Sequence, residues 1–212
     1  TAVRERVGIF DVSHLGKARV VGPGAAAYLD SVVTNALDRI GPGKAQYTLL
    51  CDDTGGVIDD LIVYYLSEEW VFLIPNASNA TEVLGVLASG APDGVDVINL
   101  HHDFAVLAVQ GPDSPALLRD LGLPTDLDYM AFQHVEHAGF DMTVCRTGYT
   151  GETGFELVVP WAEAGRVWDA LLEKGAAYGA LPCGLGARDT LRTEMGYPLH
   201  GQDLSRDITP VQ

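Results

Sequence analysis

The chain reads as an α+β protein with largely antiparallel sheets and helices laid against them, and three observations carry that expectation. Short apolar or alternating stretches are joined by tight glycine-bearing turns, most clearly Asp52-Asp-Thr-Gly-Gly56 and Ala138-Gly139, which suit hairpins. Strands and helices mix without the regular strand–helix–strand rhythm of a parallel sheet. One segment has strong helical periodicity, with Ala164, Val167, Trp168, Leu171 and Leu172 at i, i+3, i+4, i+7 and i+8.

Taken in order, residues 7–12 and 17–21 form short strands, followed by a helix over 25–33. Residues 47–51 and 57–66 make a hairpin whose turn glycines are free to take positive φ. A strand at 70–74 precedes a helix capped by Ser78 or Asn79 and running to about Ala88. Residues 95–100 and 104–109 are expected to pair with each other. Asp113-Ser-Pro-Ala opens a short helix with its proline in the first turn. A hairpin over 134–144 and a buried strand over 155–159 come next. The periodic helix then runs until Gly175 ends it. A last helix spans about 185–195, stopped by Gly196 and Pro198.

Composition bounds the function. With 212 residues, 47% apolar and 20% charged, the chain can bury a real core as one large or two small domains. No apolar run approaches the ~20 residues of a membrane span, so no membrane partner is expected. The net charge of −16 argues against nucleic acid, whose phosphates call for a basic face. Cys51, Cys145 and Cys183 form no C-x-x-C pair and read as reduced, buried spacers of a cytoplasmic protein, with no metal site. Thr1-Ala-Val-Arg-Glu-Arg and Pro210-Val-Gln212 read as interior sequence, so a longer parent chain is expected.

Candidate chemistry concentrates in two places. Asp59 and Asp60 precede Leu61-Ile-Val-Tyr-Tyr-Leu66, which is apolar on both faces and suits a covered strand. Successive strand side chains point to opposite faces, so one aspartate is expected to enter a cleft and the other to meet solvent or a cap. An unpartnered buried carboxylate is costly or shifts its pKa. Glu156, between Phe155 and Leu157, follows the loop Gly148-Tyr-Thr-Gly-Glu-Thr-Gly154. A carboxylate can accept two parallel N–H bonds, which suits the amino edge of a pterin or guanine, although pairing with a basic group is the competing reading. The glycines of that loop match no phosphate-binding motif. Arg188 and Arg192 lie one helical turn apart and could keep Asp60 or Glu156 ionised, bind an anionic tail, or act as plain struts. Ser13-His14 lacks a nucleophile elbow, and His101 and His102 diverge as strand neighbours, so hydrolase and metalloenzyme readings fall away.

In these residues the chain resembles the aminomethyltransferase family of the glycine cleavage system, the T-proteins. The matching pieces are Val7-Gly-Ile-Phe-Asp-Val-Ser-His-Leu-Gly16, Gln46-Tyr-Thr-Leu-Leu50, Gly55-Gly-Val-Ile-Asp-Asp-Leu-Ile-Val-Tyr64, Leu107-Ala-Val-Gln-Gly-Pro112, Gly148-Tyr-Thr-Gly-Glu-Thr-Gly-Phe-Glu156, and Gly184-Leu-Gly-Ala-Arg-Asp-Thr-Leu-Arg192 with Glu194-Met-Gly-Tyr-Pro-Leu-His-Gly-Gln-Asp203. The resemblance implies a tetrahydrofolate-binding core over 1–212, built of interleaved subdomains of which one is ferredoxin-like. The family's N-terminal segment and C-terminal β-barrel domain lie outside this stretch. It implies transfer of an aminomethyl group from the lipoyl arm of the H-protein to tetrahydrofolate, giving 5,10-methylenetetrahydrofolate, ammonia and the lipoyl dithiol.

By the same resemblance Asp60 would be the acid beside the reacting N5–N10 edge, and Glu156 would grip the pterin amino edge. Tyr47, Tyr149, Ile74 and Asn76 would line the pocket, Leu15 would fall at a pocket position, and Arg188 would meet the ligand or the lipoyl arm. Two relations on the same fold compete. A folate protein of iron–sulfur cluster assembly would show Lys-Gly-Cys, which is absent from 194–203. The folate half of a dimethylglycine or sarcosine oxidase would need a flavin domain, and Asp59-Asp60 suits the transferase better. Arg4, Arg6, Arg188, Arg192 and Arg206 are the candidates for a basic docking patch on an otherwise acidic chain.

Overall fold

A computed structural model describes residues 1–211. In chain order the elements are α1 (Ala2–Glu5), β1 (Gly8–Asp11), β2 (Ala18–Val21), α2 (Ala25–Val32), β3 (Lys44–Cys51), β4 (Val57–Ser67), β5 (Trp70–Pro75), α3 (Ala80–Gly90) and β6 (Asp96–Asn99). There follow β7 (Phe104–Gln110), α4 (Ser114–Asp120), β8 (Phe132–His137), β9 (Phe140–Cys145), β10 (Gly154–Pro160), α5 (Ala164–Gly175), β11 (Leu181–Pro182) and α6 (Leu185–Glu194). They gather into two compact units interleaved along the chain: Thr1–His14 with His102–Tyr197, and Leu15–His101 with 198–211.

The first unit is a six-stranded sheet in the order β11-β1-β7-β10-β9-β8, antiparallel throughout except for the β1–β11 pair. Its central strands are apolar on both faces because both are covered. Ile9, Leu107, Val109, Val144, Phe155, Leu157 and Val159 join Leu117 and Leu118 of α4 and Val167 and Leu171 of α5 in one core. Removing such residues from water is worth about 25 cal/mol per Å² of apolar surface, and this packing holds α4 and α5 down. The strand register puts Phe10, Ala108, Gln110, Cys145 and Glu156 on the opposite face.

The second unit is a five-stranded antiparallel sheet in the order β3-β4-β5-β2-β6. Leu61 and Val63 of β4, Val71 and Leu73 of β5 and Val20 of β2 pack with Leu29 of α2 and with Val83 and Leu87 of α3. Asp60, Ile62, Tyr64, Tyr47, Ile74 and Phe72 occupy the other face by register. The sheet face opposite α4 and α5 in the first unit carries Glu156, and the face opposite α2 and α3 in the second carries Asp60.

Four expectations are corrected. The 95–100 and 104–109 strands do not pair with each other: β6 joins β2 in the second unit, and β7 sits between β1 and β10 in the first. Proximity in sequence suggested a hairpin, but the two runs bury themselves in different cores. Gly175 is the last residue of α5, but not as a left-handed glycine cap; its φ of −61 is helical, a 3-10 turn follows over Ala176–Tyr178, and Gly179 takes the left-handed position at φ +63. No side-chain cap closes the start of α3: the Asn79 side-chain NH2 donates to Asp59 and its oxygen accepts from the Ser78 hydroxyl. Of the cysteines only Cys145 is buried; Cys51 and Cys183 are half-buried.

The segment after α6 returns to the second unit and lies against the start of β4. The Val57 N–H donates to Ser205 O at 3.0 Å, and Arg206 pairs with Asp52 and Glu82. Gly56 makes this approach possible, since a Cβ there would stand 2.0 Å from the Arg206 carbonyl oxygen. Gly56→Ala is therefore expected to destabilise the fold by about 1–3 kcal/mol, the usual range for forced overpacking. Chemical denaturation checks this, and an unchanged midpoint would contradict the docking.

Candidate functional site

In the second unit the site is built around a bulge. Leu50 lies opposite Asp59 and Cys51 opposite Val57, so Ile58 is an extra residue in β4 immediately before the two aspartates. Bulges re-aim side chains, and here the pair is set just past the end of β5, at Pro75. Asp59 faces the helices. It accepts from the Asn76 N–H at 2.9 Å, the Asn76 amide at 2.9 Å and the Asn79 amide at 2.7 Å. Asn79 is the residue just before α3, so Asp59 holds the approach to that helix by a side-chain bond and caps none of its N–H groups, and the solvent alternative is excluded by its zero exposure.

Asp60 faces the other way. Its carboxylate accepts from the Tyr47 hydroxyl at 3.1 Å and from the Asn76 amide at 2.8 Å. The Asn76 amide also reaches the Asp60 carbonyl at 2.9 Å. Two amide hydrogens thus face three acceptors, so Asn76 is shared between the neighbouring acids. Desolvation raises both carboxyls above their ordinary range, and for Asp59 the neighbouring Asp60 adds to it. For Asp60 the hydrogen bonds from Tyr47 and Asn76 and the charge of His200 oppose the rise.

A raised acid weakens the fold as pH climbs through the ordinary carboxylate pKa, and the penalty is complete above the folded-state value. Asp59 offsets its own cost by satisfying buried donors. Asp59→Ala leaves the Asn76 N–H and the Asn79 amide without that acceptor and is expected to cost about 1–3 kcal/mol. Thermal unfolding reads this directly, and a variant as stable as the parent would contradict the bracing role.

Tyr47 is 39% exposed at the rim, while Ile74 is buried directly across from Ile62. Leu15 is half-buried, and its carbonyl meets the His101 ring at 3.2 Å. Asp60, Tyr47 and Asn76 therefore come together as one bonded group, with Ile74 on the same sheet face.

The first unit holds the other group. Glu156 sits on β10, and its carboxylate accepts from the Thr147 hydroxyl. Burial raises this carboxyl, opposed by the Thr147 bond and the Arg188 charge. The Arg188 guanidinium lies 4.3 Å from the centroid of the Tyr149 ring, and Tyr149 stacks on Tyr197 at 5.8 Å. Tyr149 of the glycine-rich loop thus meets both Arg188 of α6 and Tyr197 just beyond that helix. A polar cavity of about 220 Å³ beside it is lined by Tyr129, Arg146, Thr147, Gly148, Gly151, Glu152, Thr153 and Tyr197.

The loop glycines have a packing reason. A Cβ on Gly148 or Gly154 would stand 2.2 or 2.4 Å from the buried Gln110 amide. That amide donates to the Thr147 and Phe155 carbonyls and accepts from the Thr150 hydroxyl. Gln110 thereby shapes the loop that supplies Thr147 and Tyr149. Of the candidate docking arginines, Arg4 pairs with Glu152 and Glu194, Arg192 with Asp189, and Arg206 with Asp52 and Glu82. These three are spent on ion pairs instead of forming a basic patch.

Thr147, Gln110, Tyr197 and His200 were not singled out by sequence for the roles they take. Thr147 could have been found, because it lies two residues beyond Cys145, the partner of Glu156 across β9 and β10. The others come from distant segments. Among the described residues, no group of three or more His, Cys, Asp or Glu side chains is arranged to hold a metal ion, and no helix is long and apolar enough to cross a membrane.

These features define an α+β protein of two antiparallel-sheet units, each with a desolvated carboxylate beside aromatic side chains. The chain belongs to the family described as the GCVT N-terminal domain, whose model matches residues 1–212. It is 64% identical over 211 residues to an aminomethyltransferase of Parafrankia sp. (strain EAN1pec) and 61% identical to one of Mycobacterium tuberculosis (strain ATCC 25618 / H37Rv). Each match covers 100% of this chain and 58% of the relative's length. The glycine cleavage system aminomethyltransferase T of Bartonella henselae matches in structure with a TM-score of 0.89 at 34% identity, over 99% of this chain and 56% of that one. A heterotetrameric sarcosine oxidase from Corynebacterium sp. U-96 matches with a TM-score of 0.60 at 16% identity, over 82% of this chain and 86% of that one, a likeness of fold alone.

Proposed function

We propose that this chain is the folate-binding core of an aminomethyltransferase of glycine cleavage. It would take the aminomethyl group from the lipoyl arm of an H-protein and deliver the carbon to tetrahydrofolate, a substrate here and not a resident cofactor. In balance, the aminomethyl thioether and the two folate N–H groups become 5,10-methylenetetrahydrofolate, ammonia and the carrier thiol. The folate N–H protons end on ammonia and sulfur.

The observation that carries this reading is the desolvated Asp60 carboxylate, fixed by Tyr47 and Asn76 on a sheet face with Ile74. Cationic iminium character develops on the transferred carbon as ammonia leaves. A preorganised anion in a low-dielectric setting stabilises that charge without reorganising. In the other unit, Glu156 offers an acceptor pair for the pterin amino edge. Thr147 orients it, and the Arg188 charge favours its ionised form. Tyr149 and Arg188 supply flat contact surface.

The test is product formation by the full-length protein from an aminomethylated lipoyl carrier. Methylenetetrahydrofolate that requires both carrier and tetrahydrofolate supports the reading. Folate binding without any carrier-dependent product overturns the chemistry and leaves only the binding role.

A further inference from the structure

Arg4, on α1, ties together the two segments that build the aromatic surface of the first unit. Its Nη1 donates to the Thr150 carbonyl at 2.6 Å and to the Glu152 carboxylate at 3.0 Å, both in the glycine-rich loop. Its Nε and Nη2 donate to one oxygen of Glu194, the last residue of α6, at 3.2 and 2.6 Å. Nη2 also reaches the Leu191 carbonyl of that helix at 3.4 Å. A guanidinium has five N–H donors in a fixed fork, and all five point at acceptors on the loop or on α6.

Loop and helix end meet closely at this clasp. A Cβ on Gly151 would stand 2.3 Å from Cγ of Met195, so the loop backbone lies directly against the residue that follows α6. Thr150 is held from two sides, its carbonyl by Arg4 and its hydroxyl by the oxygen of the buried Gln110 amide at 2.8 Å. Tyr149 immediately precedes Thr150, and Tyr197 follows Met195 by two residues. Their rings stack with centroids 5.8 Å apart and planes inclined by 27°. The loop and Tyr197 also line the polar cavity of about 220 Å³.

We propose that Arg4 is a positioning residue for the ligand: by clasping the glycine-rich loop to the end of α6, it sets Tyr149 against Tyr197 and Arg188 and fixes the width of the cavity beside them. This rests on the reading of Tyr149 as a contact surface for folate. An isolated, partly exposed ion pair would contribute little, because solvent screening and side-chain entropy offset the attraction. Arg4 differs in that two of its bonds go to backbone carbonyls, one on each segment, and its planar fork fixes direction as well as distance. Lysine, a point charge with three donors, does not reproduce that geometry.

The test uses Arg4→Lys and Arg4→Gln in the full-length protein, with methionine methyl groups followed by ¹H–¹³C NMR. Met195 reports the clasp, and Met142, 3% exposed in the core of the same unit, reports the fold. Met195→Leu and Met142→Leu assign the two resonances. In both Arg4 variants the Met195 resonance is expected to shift or broaden while that of Met142 overlays the parent. The Kd and KM for tetrahydrofolate should rise roughly 5- to 10-fold, the scale of one misplaced aromatic contact, with kcat at saturation unchanged. Action through the stack also predicts non-additivity: in a Tyr149→Leu background, Arg4→Lys should weaken binding no further.

A Met195 resonance that overlays the parent in Arg4→Lys overturns the clasp. Normal folate affinity in a variant whose Met195 has moved makes Arg4 a structural strut and overturns the positioning role, as does an additive loss in the double variant. If the Met142 resonance moves as well, Glu152→Gln combined with Glu194→Gln opens the ion pairs from the acid side and is read in the same way. A parent protein that binds no tetrahydrofolate overturns the ligand role together with the folate reading, and the Met195 comparison, which needs no ligand, still decides the clasp.

Discussion

Asp60→Asn is expected to lower kcat by about 10²–10³, the cost of removing one preorganised electrostatic group from a transition state, while leaving tetrahydrofolate affinity nearly intact. The swap keeps size and most hydrogen bonding. Asparagine can accept from the Asn76 amide through its oxygen and donate to the Tyr47 hydroxyl, so the pocket keeps its shape. Only the charge is lost, and that charge is held at a cost, since burial already raises the Asp60 carboxyl. The same substitution should therefore leave the fold at least as stable at pH values above the folded-state pKa of Asp60, where the desolvation penalty is complete. A gain in stability with a loss in rate is the usual signature of a site strained for function. Steady-state kinetics and thermal unfolding on one preparation check both halves.

Glu156→Gln should do the reverse. Replacing a carboxylate that accepts charge-assisted bonds with an amide that offers one acceptor and two donors costs about 1.5–3 kcal/mol, or roughly 10- to 100-fold in folate affinity. The loss should appear in Kd and in the folate KM, with kcat at saturation close to the parent value, because the pterin edge does not change charge during transfer. Thr147 and Arg188 remain to hold the loop, so the fold should persist. Isothermal titration with tetrahydrofolate reads the effect, and a variant that binds normally would remove Glu156 from the ligand.

The sequence was informative wherever structure is local. The hairpin turns, the apolar alternation of β4 and the helical stripe of α5 can all be read from a few neighbouring residues, and so can the opposition of Asp59 and Asp60 across a strand. It was silent where distant segments meet. The order β3-β4-β5-β2-β6 separates β6 from β7 because their partners lie far away in sequence, and no local pattern encodes that choice. The same holds for Gln110 under the glycine loop and for His200 on Val57, contacts across 37 and 143 residues. The bulge at Ile58 was missed for a different reason: an extra residue in an apolar strand leaves the composition unchanged. One enclosed aspartate was legible in the pair, but Asp59 as the brace before α3 was not, because its acceptors serve Asn76 and Asn79 after a reversal of the chain.

The division of labour between the two acids is tested most directly by rapid-quench single turnover. Aminomethylated carrier would be mixed with the full-length protein, as parent, Asp60→Asn and Glu156→Gln, at rising tetrahydrofolate. Glu156→Gln is expected to approach the parent rate once folate saturates, and Asp60→Asn to remain slow at every concentration. Recovery of Asp60→Asn at high folate, or a Glu156→Gln rate that stays low at saturation, would contradict the account.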